Sequence, residues 1–189
     1  MGRIAVTEFI SLDGVMEDPG GAEDFRHGGW TFEIQRGEEG DKFKLDEAMG
    51  ADALLLGRVT YEGFAAAWPS REGEFADKFN QMPKYVVSST LTDPEWSNSI
   101  VLDGDLSEAV ARLKAEHDGE IQVAGSCQLA QALLEAGLVD ELRLMVFPVI
   151  LGEGKRLFGQ TSDKKPMQLT SSKIVGDGVA ILIYEPAED

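Results

Sequence analysis

The sequence predicts an α/β fold: a three-layer α/β/α arrangement around a mostly parallel sheet, closed by a C-terminal antiparallel hairpin. Three observations carry this. Strand-like apolar runs alternate with helical patterns through the first two thirds of the chain, as they do when crossover helices join parallel strands. Two of those strands run straight into a glycine and then a helix: Ala53-Leu54-Leu55-Leu56 into Gly57-Arg58-Val59-Thr60, and Ile121-Gln122-Val123-Ala124 into Gly125-Ser126-Cys127. The last two strand patterns flank Gly176-Asp177-Gly178, a hairpin signal that adds antiparallel strands at one edge.

Taken in order, Arg3 to Ile10 is rich in Ile, Val, Phe and Thr and reads as the first strand, broken by the turn residues Ser11-Leu12-Asp13-Gly14. From Asp18 to about Gly40 the chain is Gly-rich and charged, with Trp30 and Phe32 embedded; a stretch this long and weakly periodic is a functional loop or is poorly ordered. Phe43, Leu45, Ala48 and Met49 give a short amphipathic helix stopped by Gly50. A strand over 53–57 precedes a helix from Thr60 to Ala67, which stops before Trp68-Pro69. Lys84 to Ser88 and Ser99 to Leu102 are short strand candidates. A helix begins at Leu106-Ser107-Glu108 and runs through His117, with Ala109, Val110 and Leu113 on one face. The strand over 120–124 leads to a helix from Ser126 to Ala136, ended by Gly137. Glu141 to Ile150 reads as one strand, followed by the loop Leu151-Gly152-Glu153-Gly154, and the hairpin strands fall near 167–175 and 178–185.

Composition narrows the function. The 189 residues suit a single domain spanning 1–189 and a full core. With 17 Lys and Arg against 34 Asp and Glu the net charge is −17, which disfavours nucleic acid and anionic membranes as partners. No apolar run is long enough to span a bilayer. Met1 to Val6 passes directly into the strand pattern without signal-peptide features, so a cytoplasmic location is expected. Cys127 is the only cysteine, which rules out an intramolecular disulfide and fits a reducing compartment. With only His27 and His117 beside it, a zinc site is not expected.

The glycine junctions organise the candidate site. A strand ending at glycine lets a ligand approach the backbone without a Cβ in the way. The helix that follows points free N–H groups and its positive dipole end at the same spot, which favours phosphate. Two such junctions suit a ligand with two or more phosphates, such as a dinucleotide. At the first, Thr60 is positioned to cap the helix and Arg58 to donate to phosphate oxygens; equally, both are ordinary helix-start residues. Tyr85-Val86-Val87-Ser88-Ser89-Thr90 ends a strand with hydroxyls that suit a ribose phosphate, with Lys84 near in sequence, or simply a turn. The junction at Gly125 lacks a full Gly-x-Gly-x-x-Gly, against the usual Rossmann fingerprint, and Cys127 reads as packing. Asp13 is placed to relay a proton or hold a polar heterocycle, or else to make an Asp-Gly turn. Trp30 and Phe32 suit either stacking on a flat ring or anchoring the loop.

In this order the motifs resemble the dihydrofolate reductase-like superfamily, and within it stand-alone relatives of the reductase domain of bifunctional riboflavin-biosynthesis enzymes. The resemblance rests on Ser11-Leu12-Asp13-Gly14, Leu54–Glu62, Lys84–Leu91, Val123–Ser126, and Leu133–Leu142 with Pro148–Gly154. It implies a sheet of about eight strands, NADPH as cofactor and, commonly, a homodimer. It further implies that Gly57, Arg58 and Thr60 hold phosphates, that Ser88 and Ser89 lie at the adenosine 2′-phosphate, and that Gly125 and Ser126, with Cys127 following, cradle the pyrophosphate. The activity implied is a reductase passing hydride to a small polar heterocycle, either a riboflavin-pathway aminopyrimidine or a pterin. Asp13 and Trp30 are then the expected substrate-side residues, Asp13 also the catalytic one. A non-catalytic NADP(H)-binding protein is the rival. The acidic residues near 30–45, Glu33, Glu38, Glu39 and Asp41, give no single counterpart of the pterin-binding acid of dihydrofolate reductases.

Overall fold

The computed structural model describes residues 1–187, so the last two residues of the expected 1–189 domain lie outside the described residues. It contains β1 (Arg3–Ile10), α1 (Gly37–Gly50), β2 (Ala51–Gly57), α2 (Arg58–Ala67), α3 (Glu74–Gln81), β3 (Lys84–Val87), β4 (Ser99–Leu102), α4 (Leu106–Glu116), β5 (Glu120–Ala124), α5 (Cys127–Glu135), β6 (Glu141–Val146), β7 (Met167–Val175) and β8 (Val179–Pro186). Short 3₁₀ turns cover Trp30–Glu33 and Trp68–Ser70. The eight strands form one sheet in the order β4-β3-β2-β5-β1-β6-β8-β7. Every pair from β4 to β6 is parallel, and β8 and β7 close the sheet antiparallel.

Both faces of the sheet are covered, which explains the unbroken apolar run in β2. Its Ala53 and Leu55 turn to one face with Ile4, Val6, Ile121 and Val123, packed by α4 (Val110, Leu113) and α5 (Leu129, Ala130, Leu133). Leu54 and Leu56 turn to the other face with Val86, packed by Ala48 of α1, Tyr61 of α2, Phe79 of α3 and Trp96. A third cluster, Trp30, Met145, Phe147, Val175, Val179 and Ile181, seats the Gly-rich loop against the hairpin side. Burying one large apolar side chain contributes about 1.5–3 kcal/mol, so these clusters hold the layers together.

Local chemistry sets the ends of the elements. Asp105 caps α4 by accepting the Glu108 N–H at 3.0 Å. Past α5, Gly137 takes φ 67°, and Leu138 N–H bonds back to Leu133 O while Gly137 N–H bonds to Leu134 O, a Schellman closure. Several expected boundaries shift. The strand expected over 141–150 stops at Val146, because Pro148 has no N–H to continue the ladder and Leu12 N–H takes Val149 O instead. The helix expected at 43–49 begins at Gly37, and α3 was not expected. The 18–40 stretch is folded around Asp18, which is buried: its carboxylate accepts Ala22 N–H at 2.6 Å, and its carbonyl accepts Gly29 N–H at 2.9 Å.

Candidate functional site

β2 and β5 are neighbours in the sheet, so their carboxyl ends, each carrying a glycine junction, lie side by side. Hydrogen bonds stitch them together. Gly57 N–H donates to Ser126 Oγ at 2.9 Å, and Ser126 N–H donates to Thr60 Oγ1 at 2.8 Å. Gly57, Thr60, Gly125 and Ser126 are therefore brought into one cluster. No side chain caps α2 or α5. The first-turn amides of both helices, with their positive dipole ends, converge over this edge of the sheet, where parallel sheets bind ligands.

Which amides are bare differs from expectation. Those of Gly57 and Ser126 are taken by the opposite junction, and that of Gly125 donates to Glu8 Oε2 at 3.0 Å. The exposed donors belong to the next residues along each helix. Thr60 is not the cap of α2, which starts at Arg58; its hydroxyl serves the other junction. Ser126 is the residue before α5 and adopts φ 59°, with its side chain turned to Gly57 instead of capping its own helix. Arg58 lies on the rim, paired with Glu62 one turn on at 2.9 Å.

The remaining expected residues divide. Ser88 follows β3, next to β2, and lies at the same edge. Its Oγ accepts Thr90 N–H at 3.1 Å and Leu91 N–H at 3.0 Å, and Ser89 beside it is exposed. Lys84 stands at the other end of β3, fully buried, with Nζ donating at 2.9 Å to the carbonyls of Asn80, Met82 and Ser97. Burial lowers its amine to about 8, and it is a structural cross-link out of reach of the cleft. Cys127 opens α5; its half-buried thiol donates to Arg156 O at 3.3 Å, and burial pushes its pKa up, away from nucleophilic use.

Asp13 and Trp30 are held by the protein itself. Asp13 accepts the Ser11 hydroxyl at 2.6 Å, Leu151 N–H at 3.1 Å and Gly152 N–H at 2.8 Å, fastening the 11–14 turn to the 148–154 loop. The Ser11 bond, joined by those two amides, lowers its pKa to about 2. At neutral pH it is an ionised clasp. Trp30 is 2% exposed, its indole N–H donating to Glu17 O at 2.9 Å and its ring edge-on to Phe147, so it anchors the loop and offers no face to a ring outside. Phe32, two residues on, is the exposed aromatic.

Sequence reasoning missed Glu8. It is 5% exposed, bonded to the junction glycine through Oε2, and Oε1 has no hydrogen-bond partner among the described residues. The signal was present: Ile4, Val6 and Ile10 fill the core on alternate positions of β1, and Glu8 stands in the same phase. A basic rim was missed as well. Arg26 and His27 face Glu153 at 3.5 and 3.3 Å, Lys155 faces Glu17 at 3.5 Å, and Arg156 faces Asp13 at 3.6 Å.

Fold and cleft together define an α/β protein whose parallel sheet gathers two helix N-termini at its carboxyl edge. The RibD C-terminal domain family matches residues 3–181, and the chain belongs to that family. It is 27% identical to the uncharacterized protein YyaP of Bacillus subtilis (strain 168), over 96% of this chain and 94% of that one. Among solved structures it is similar to a protein from Shewanella sp. PV-4 provisionally named for riboflavin biosynthesis, with TM-score 0.80, 23% identity and coverage of 98% and 99% of the two chains. It is also similar to Acinetobacter baumannii RibD, with TM-score 0.65 and 17% identity, covering 100% of this chain and 59% of that one. These structures share the dihydrofolate reductase-like fold expected from sequence.

Proposed function

We propose that this chain is an NADPH-dependent reductase acting on a small polar heterocycle, with an aminopyrimidine of the riboflavin-pathway type as the first substrate to try and a pterin as the second. The observation carrying this reading is the side-by-side placement of two uncapped helix N-termini at Gly57 and Gly125, joined by Ser126 and Thr60. The residues fit a dinucleotide: α2 and α5 carry no side-chain cap among the described residues, which leaves their first-turn N–H groups for phosphate oxygens.

In this reading Gly57, Gly125 and Ser126, whose own amides are taken within the protein, shape the bends, while Arg58, Thr60 and the first-turn amides of α2 take phosphate oxygens and the first-turn amides of α5, from Cys127 on, receive the pyrophosphate. Ser88 and Ser89 lie where an adenosine 2′-phosphate is received. Bound NADPH supplies the hydride. The protein's part is to orient the dinucleotide by main-chain donors, to hold the 11–14 turn through the Asp13 clasp, and to exclude water with the folded 18–36 loop. A cytoplasmic homodimer belongs to the same proposal.

A binder without turnover is the second reading. It draws on Asp13 and Trp30 both being committed inside the protein, which leaves the substrate side without a named contact. Calorimetry with NADPH and NADH tests the cofactor, with micromolar binding of one expected and no heat at millimolar nucleotide refuting it. Loss of NADPH absorbance across aminopyrimidines and pterins then separates enzyme from binder, since a binder oxidises none.

A further inference from the structure

Glu8 projects from β1 toward the carboxyl edge of β5 and closes on the amide of Gly125, the glycine of the second junction, at 3.0 Å. From there the chain of contacts continues through Ser126 to Gly57 and Thr60, so this carboxyl is the first link of the bonds that tie the junctions together. Its second oxygen is buried and unpaired. An orphaned carboxylate oxygen in a native interior is costly, and a group that tolerates it requires a reason.

Among the described residues no cation pairs with it directly. Lys44 of α1 is spent on Glu47 at 2.6 Å and on the Thr7 hydroxyl at 2.9 Å. Glu47, from the same helix, adds negative charge, and Cys127 at the start of α5 faces it as an un-ionised thiol. The β6 neighbour in register is Leu144, which brings no charge. Burial accordingly pushes the Glu8 carboxyl well above the usual carboxylate range, against the opposing pull of Lys44 and the Gly125 amide.

An anionic ligand at the Gly125–Ser126 bend adds negative charge next to this group. Resting on the dinucleotide reading above, we propose that Glu8 couples phosphate binding to proton uptake: it is a neutral carboxylic acid whenever an anion occupies the bend, and binding draws a proton from solvent onto it. It acts through Gly125, and is a positioning residue. Protonated, it still accepts the Gly125 N–H through one oxygen. Ionised, it sets a carboxylate against the incoming phosphate.

The test is calorimetric titration of the full chain with NADPH in buffers of different ionisation enthalpy, across the whole pH range in which the protein stays folded, for wild type and Glu8→Gln. The amide has the same shape and keeps an acceptor for Gly125. Wild type is expected to take up more protons per nucleotide than the variant, the excess approaching one as pH rises past the free-state titration of Glu8. Its affinity falls by up to tenfold per pH unit in that range, while Glu8→Gln shows no such fall. The 2′-phosphate's own titration is common to both proteins and cancels. Equal proton counts and parallel pH profiles overturn the coupling while leaving cofactor binding intact. Failure of wild type to bind at all overturns the cofactor reading and the coupling together. If Glu8→Gln does not fold, infrared spectroscopy of the wild type across the same pH range replaces it: growth of a protonated-carboxyl band on adding NADPH supports the proposal, and its absence at every pH refutes it.

Discussion

The two strand–glycine–helix junctions look interchangeable in sequence and are not so in space. Gly57 is extended, at φ −77° and ψ 159°, a conformation open to any residue. Gly125 sits at φ 59°, followed by Ser126 also at φ 59°. A Cβ on Gly125 would lie 2.9 Å from Thr60 Cγ2, whereas on Gly57 it would meet nothing nearer than 3.5 Å. One glycine is demanded by the backbone and by a close approach of α2. At the other, a Cβ would make only ordinary contacts with Ser126 and Leu129, so neither strain nor clash calls for glycine.

The largest expected effect breaks the pair apart. Gly125→Ala forces a left-handed alanine and a shifted Thr60, and should lower stability by about 1–3 kcal/mol in urea denaturation. Gly57→Ala should change it by less than about 0.5 kcal/mol, since neither strain nor clash is created. If the space over Gly57 serves a phosphate, the same variant weakens NADPH binding while melting like wild type. Equal destabilisation by the two substitutions would contradict the difference in geometry.

The bonds between the junctions come next. Thr60→Val leaves the Ser126 N–H without its acceptor and should cost about 1–2 kcal/mol, with Thr60→Ser restoring most of it. Ser126→Ala strips the acceptor from Gly57 N–H at similar cost. Because both bonds fix the same bend, a double-mutant cycle should show the second substitution costing less than it does alone.

How much of this was legible depended on the range of the interactions. The central strands were readable because an apolar run ending at glycine is a local signal, whereas the pairing of β2 with β5 joins segments some seventy residues apart and came only with the sheet. α3 was not, since its Phe75, Ala76 and Phe79 occupy an eight-residue segment between Gly73 and Pro83 with charges interspersed. Asp13 was readable as a turn residue, but not as a clasp, because Leu151 and Gly152 lie 138 and 139 residues away. Trp30 likewise reveals its burial only once Phe147 and the hairpin close over it. Glu8 was legible in principle: period-two burial marks it as an acid in a core position, and what sequence could not supply was the amide it meets.

Asp13 provides a smaller and pH-specific effect on the loops beside the junctions. Its pKa falls from the ordinary 3.8 to about 2, through Ser11 first and the two loop amides after it. A folded-state pKa below the unfolded one contributes stability above about 3.8, and that contribution disappears as pH falls through about 2. Asp13→Asn should therefore cost about 1 kcal/mol at neutral pH, a value reduced by solvent screening, and the gap to wild type should close in acid melts over that window. A gap that stays constant down to pH 2 would mean the ionised clasp is not what holds the turn.

The smallest expected change in stability isolates ligand binding most cleanly. Arg58 is 43% exposed and its one ion pair among the described residues, with Glu62, is an i,i+4 surface contact worth about 0.3–0.5 kcal/mol. Arg58→Ala should leave the melting curve almost where it is. At the rim of the Gly57 junction, however, its guanidinium is a permanently charged donor beside the uncapped amides of α2. Loss of NADPH affinity in this variant, steeper at low salt than at high, would place a phosphate at the first junction; unchanged affinity would move the anion to the Gly125 side and leave Gly57 as a packing residue against Ser126 and Leu129.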